Sequence, residues 1–153
     1  MKFEEKIARL KQIESVAALA GINGVISDDG EMFVLGFDQG EGRHQRVFIR
    51  PSGTTPDGKA IATITSPAKI QAKGGWLNDF SREDALELLK MNENMFFARY
   101  GIQDPGKESK EMMIVASSDV ILESLDAEEL RAHLFFVASA ADNYEKKLKV
   151  DKF

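Results

Sequence analysis

Met32-Phe33-Val34-Leu35-Gly36-Phe37, then Gln45-Arg46-Val47-Phe48-Ile49-Arg50-Pro51, then Lys59-Ala60-Ile61-Ala62-Thr63-Ile64-Thr65-Ser66 are the three runs whose reading decides the fold. In the first, Phe33, Leu35 and Phe37 alternate with Met32, Val34 and Gly36. In the second, Val47 and Ile49 alternate with Arg46, Phe48 and Arg50. Period-two alternation sends neighbouring side chains to opposite faces, so each run predicts a strand. Gln39-Gly40-Glu41-Gly42 and Thr55-Pro56-Asp57-Gly58 separate the runs, and both are turn sequences. Three strands joined by such short connections predict an antiparallel meander.

Upstream, Phe3, Ile7, Leu10, Ile13, Ala17 and Ala20 recur every three or four residues, which predicts a helix closed by Gly21. Asp28-Asp29-Gly30 then turns the chain toward the first strand. Downstream, Pro67–Asp79 reads as a connector holding Gly74, Gly75 and the single tryptophan, Trp76. Ser81 with Asp84 three residues on has capping-box spacing and opens a helix through Leu86, Leu88 and Leu89. Met95–Ile102 reads as a strand, Asp104-Pro105-Gly106 as a turn and Met112–Ala116 as the last strand. Asp126 is an N-cap, with Glu129 at the third helical position and Leu125 placed to staple Leu130. The final helix carries Ala127, Leu130, Leu134, Val137, Ala141, Tyr144 and Leu148 in one stripe, widened by Phe135, Phe136 and Ala138. That width favours packing on a sheet over a coiled coil. The expected architecture is a single α+β domain over 1–153, in the order α-β-β-β-α-β-β-α. Its antiparallel sheet has five strands, with helices packed on it.

Composition agrees with one ordinary core. The chain has 153 residues, 43% of them hydrophobic and 29% charged, enough apolar surface to offset chain entropy. It has no cysteine. That removes disulfides, thiolate metal sites and cysteine nucleophiles, and suits a reducing cytoplasm. Met1-Lys2-Phe3-Glu4-Glu5-Lys6 lacks the apolar core of a signal peptide. No apolar run reaches the roughly 20 residues that span a bilayer, so no membrane insertion is expected. The net charge of −5 is uneven: residues 1–75 carry ten Lys/Arg and nine Asp/Glu, residues 76–153 ten and sixteen. An acidic chain repels phosphate backbones, so nucleic acid is not an expected partner. Arg43, Arg46 and Arg50 read as a solvated strand face.

Motifs for chemistry fail on inspection. Gly53-Thr54-Thr55-Pro56-Asp57-Gly58-Lys59 has the spacing of a phosphate-binding loop, but Ala60 stands where a magnesium-binding hydroxyl is required. A strand follows where a helix is needed, and Pro56 lacks an N–H. It reads as a hairpin turn. His44 and His133 have no second His or Cys at ligand spacing, and His133 reads as helix packing. The acidic groups Asp28, Asp29, Glu31 and Asp38, Glu41 lack the register of a calcium loop. They read as solvated turns, although a carboxylate pair formed only in space leaves no trace in sequence. No catalytic residue, metal ligand or cofactor is expected, and the enzyme reading ranks last.

If Phe33, Leu35, Phe37, Val47 and Ile49 face the helices, then Met32, Val34 and Phe48 face away. An apolar second face marks an interface; the alternative is coverage by the connector around Trp76. Met32, Val34, Phe48 and Trp76 are therefore the candidate protein-binding or dimer surface.

Leu88-Leu89-Lys90-Met91-Asn92-Glu93-Asn94, followed by Met95–Ile102, resembles type III secretion chaperones of the Tir-chaperone class. There a helix ends in Leu-Leu-x-x-Asn and is followed by strand, turn, strand and a long last helix. Ala138-Ser139-Ala140-Ala141-Asp142-Asn143-Tyr144-Glu145, then Leu148, Asp151 and Phe153, resembles the YbjN-like family. The resemblance implies a non-catalytic, often homodimeric, bacterial cytoplasmic domain that handles or regulates another protein, and no catalytic residue to carry over. A small-molecule-sensing regulator of the same fold, with its pocket near Trp76, is the alternative.

Overall fold

Helix α1 (Phe3–Leu19) ends where Gly21 permits it. Gly21 takes φ +69°, a left-handed conformation that costs glycine little. Its N–H reaches the Ala18 carbonyl at 3.0 Å and the next N–H, of Ile22, reaches Ala17 at 2.9 Å, so the last carbonyls of the helix are satisfied. The computed structural model describes residues 1–40, 43–72, 81–104 and 111–150, leaving aside the side chains of 38–40, 43, 70–72 and 148–150. The turn at 39–42, the turn beginning at Asp104 and most of the Pro67–Asp79 connector thus lie wholly or partly outside the described residues, as do Asp151 and Phe153.

The strands are β1 (Gly24–Ile26), β2 (Phe33–Gly40), β3 (Arg43–Thr54), β4 (Ala60–Ala72), β5 (Arg99–Gln103) and β6 (Glu111–Ile121), with α2 (Arg82–Glu93) before β5 and α3 (Ala127–Val150) last. They form one antiparallel sheet in the order β1-β2-β3-β4-β6-β5. The expected α+β architecture is present, with six strands where five were expected. The added strand β1 has three residues, too few to display a period, and it pairs Val25 with Val34 at the sheet edge. Gly24 makes that pairing possible, because a Cβ there would collide with the Phe33 ring.

Two other boundaries moved. Strand β4 continues past Pro67 through a bulge between Pro67 and Lys69, pairing with β6 up to Ala72, so the expected connector begins later. Strand β5 starts at Arg99, four residues after the expected Met95. Asn92 and Phe97 are the cause, as described below.

All three helices lie on one face of the sheet. Phe33, Leu35, Val47, Ile49, Ala62, Ile64, Ile114 and Ala116 from the strands share a buried cluster with Leu10, Ile13, Ala17, Leu88, Leu130, Leu134, Val137 and Ala141 from the helices. Each large side chain there contributes about 1.5–3 kcal/mol by leaving water. Among the described residues the opposite, outer face carries no helix.

Candidate functional site

Two apolar surfaces stand out, one on each side of the sheet. The first lies on the outer face. Strand alternation places Phe48 and Arg50 of β3, Thr63 and Thr65 of β4, Met113 of β6 and Gln103 of β5 on that side, with Met32 just ahead of β2. Together with Ser52 and Pro67 they line a groove of about 420 Å³ that crosses the strands. Met32 and Phe48 are half-buried in it. Val34 is half-buried beside Phe48, in the cross-strand row Val25, Val34, Phe48, Thr65 and Ser117, without lining the groove. Trp76 lies outside the described residues.

Arg50 is the charged side chain in that lining. Arg46 stands four residues away on the same face of β3, beyond Phe48. Neither guanidinium has a hydrogen-bond or ion-pair partner among the described residues, although the Arg46 carbonyl accepts from the Ser66 hydroxyl at 3.0 Å. Asp119 accepts a hydrogen bond from the Thr63 hydroxyl at 2.6 Å. The groove wall is thus apolar side chains, hydroxyls, one amide and one guanidinium.

The second surface is on the helix side, at the corner between α2 and β5. Here Asn92 explains where β5 begins. Its side-chain oxygen accepts from the Tyr100 N–H at 2.7 Å and its amide donates to the Tyr100 carbonyl at 3.1 Å. One side chain thereby does for Tyr100 what a neighbouring strand would do, and closes that point of the sheet's free edge. The intervening residues must loop around Asn92, and Phe97 takes φ 60° to do so, a conformation rare for a bulky residue. Phe96 and Phe97 are consequently 72% and 56% exposed, and Phe135 on α3 is 53% exposed. Phe97 lies 5.4 Å from Phe136, which lies 5.6 Å from Phe135, ring centre to ring centre. Beside them a cavity of about 330 Å³ is lined by Met91, Met95, Phe96, Phe136 and Ser139, among others. The sequence showed these phenylalanines, but read Phe96 and Phe97 as strand and Phe135 as sheet packing. A left-handed residue and a side-chain clamp leave no periodic signal.

Under this corner sits His133. Its Nδ1 is 2.7 Å from the Ser118 hydroxyl, its Nε2 is 3.9 Å from a Glu129 carboxylate oxygen, and Phe97 meets its ring at 4.9 Å, edge on. Burial pushes its pKa below the usual value, against the opposing pull of Glu129. The residue types are those of a hydrolytic triad. Ser118 and His133 are 7% and 6% exposed, however, and they line neither of the two cavities. Tyr100 does line the second cavity; its hydroxyl donates to the Ala140 carbonyl at 2.6 Å, and burial, with Tyr144 nearby, pushes its pKa up to about 12. Among the described residues no three His, Asp or Glu side chains converge as metal ligands, and no helix is long and apolar enough to cross a membrane. The phosphate-loop spacing is a hairpin turn. Lys59 N–H donates to the Thr55 hydroxyl at 2.9 Å and the Lys59 carbonyl accepts from Thr55 N–H at 2.8 Å.

This arrangement of sheet and helices is similar to the fold of a type III secretion chaperone of known structure. The solved structure of the Yersinia pestis type III secretion chaperone SycH, in complex with a stable fragment of YscM2, superposes with a TM-score of 0.53 over 89% of this chain and 98% of that one, at 13% identity. No protein-family model and no curated protein sequence matches the chain.

Proposed function

We propose that this chain is a non-catalytic protein-binding domain, chaperone-like or regulatory, that acts as a homodimer on a partner protein in the bacterial cytoplasm. The observation that carries the reading is the outer groove. Among the described residues no helix covers the outer sheet face, and there Met32, Phe48, Pro67 and Met113 give the groove its apolar lining. Exposed apolar surface of this kind is uncommon without a binding role. SycH shares the fold and was solved in complex with a fragment of another protein, which supports a segment of a partner as the occupant. The likeness of Ala138–Glu145 to the YbjN-like family belongs to the same proposal.

The dimer reading rests on the second surface. Two copies related by a two-fold axis present the same patch to each other, so the patch must contain both projections and a recess. Phe96, Phe97 and Phe135 project, and the cavity bounded by Met91, Met95 and Ser139 is the recess.

The test is co-purification of the protein with the product of its neighbouring gene. Wild-type protein retains the partner, and Phe48→Asp with Met32→Asp loses it while circular dichroism shows an unchanged fold. Equal retention by the variant overturns the reading. A small-molecule-sensing role is the second reading, because about 420 Å³ falls in the ~300–1,000 Å³ range of ligand pockets. A rise in melting temperature with a metabolite, abolished by Phe48→Asp, would select it.

A further inference from the structure

We infer that the segment held in the outer groove is acidic as well as apolar, with a carboxylate placed over β3 to meet Arg50. The inference rests on the protein-binding reading and names the chemistry of the partner. Arg50 is the charged residue among those lining the groove, alongside Met32, Phe48, Pro67 and Met113. The chain has 25 Asp and Glu against 20 Lys and Arg. Even so, Arg50 and neighbouring Arg46 have no carboxylate partner among the described residues. An occupant that covers the groove takes the Arg50 guanidinium out of water. A charge desolvated without a counter-charge is strongly unfavourable, so the occupant has to supply an anion. Guanidinium and carboxylate match as paired donors and acceptors, which gives the pairing direction as well as strength.

Arg50 and Arg46 both lie on β3, so an acidic residue of the partner is favoured over that strand. Thr65 and Gln103, whose side chains have no hydrogen-bond partner among the described residues, remain to pair with the partner's polar groups. From β2 to β5 the groove crosses four strand spacings, about 19 Å at roughly 4.8 Å each, the length of about six extended residues.

The probes are three labelled peptides with Leu and Phe at alternate positions and one variable residue near an end: Glu, Gln or Lys. Fluorescence anisotropy with the full chain measures affinity. The Glu peptide is expected to bind about tenfold tighter than the Gln peptide, as a charge-assisted hydrogen bond predicts, and the Lys peptide weakest. Arg50→Glu is expected to reverse the Glu and Lys order, and added salt to narrow it. Equal binding of all three, with Phe48→Asp weakening them alike, overturns the acidic requirement and leaves the apolar groove standing. No binding by any of them overturns both. Arg50 is exposed, so Arg50→Glu is not expected to unfold the chain; an unchanged melting temperature checks this.

Discussion

Asn92 shows how one residue can decide where a strand begins. Its amide satisfies both backbone groups of Tyr100 at the sheet edge. Asn92→Ala leaves a donor and an acceptor without partners in a part-buried site, which costs about 1–3 kcal/mol. The check is a lower urea midpoint at unchanged slope. His133 makes a second prediction, through pH. Burial holds its folded pKa below 6.5, so between the two values the unfolded chain carries a proton that the folded chain does not. Its contribution to stability is complete above about pH 6.5 and is lost as pH falls through the depressed folded value. Urea midpoints should therefore fall as the pH drops below about 6.5, and His133→Gln should flatten that decline. Asp29, Asp57, Asp84 and Glu123 are also depressed, through hydrogen bonds, but from ordinary carboxylate values of 3.8 and 4.5. Their losses therefore fall at lower pH and are separable.

At the scale of elements, what the sequence displayed was local chemistry. The Gly21 stop, the Ser81 and Asp84 capping box and the Asp126 cap were each legible because a cap is a contact between residues one to five apart. Ser81 accepts from Asp84 N–H at 3.1 Å and the Asp84 carboxylate accepts from Ser81 N–H at 2.9 Å. Asp126 accepts from Glu129 N–H at 2.8 Å. Ser81→Ala should therefore cost about 0.5–2 kcal/mol, read as a shift in thermal midpoint, with partner binding unchanged because the cap touches neither surface. The misplaced elements share the opposite property. Residues 95–98 read as strand because four apolar or small residues suit a strand, but the competing contact came from Asn92, whose role no period reveals. Strand β4 runs through Pro67 because a bulge at Ala68 restores its register with β6, a choice made by the partner strand.

At the scale of the molecule, the outer face was legible for the same reason as the core. Alternation along β2 and β3 that buries Phe33, Leu35, Val47 and Ile49 must turn Val34 and Phe48 the other way. The aromatic corner was not legible, since it depends on α3 and the α2–β5 loop meeting in space. The two surfaces lie on opposite faces of one sheet and share no residue, so perturbations at one should not propagate to the other. Phe48→Asp is expected to abolish partner binding and leave the oligomer intact. Phe96→Asp with Phe135→Asp, both at exposed positions, is expected to give a monomer that still binds the groove peptide with the same affinity. Light scattering coupled to size exclusion measures the first property and anisotropy the second. A wild-type protein that is already monomeric at micromolar concentration sinks the dimer assignment alone. If the Phe96 and Phe135 variant also loses the peptide, the two faces are one site, and the partner must reach around the β5 edge where Asn92 closes it.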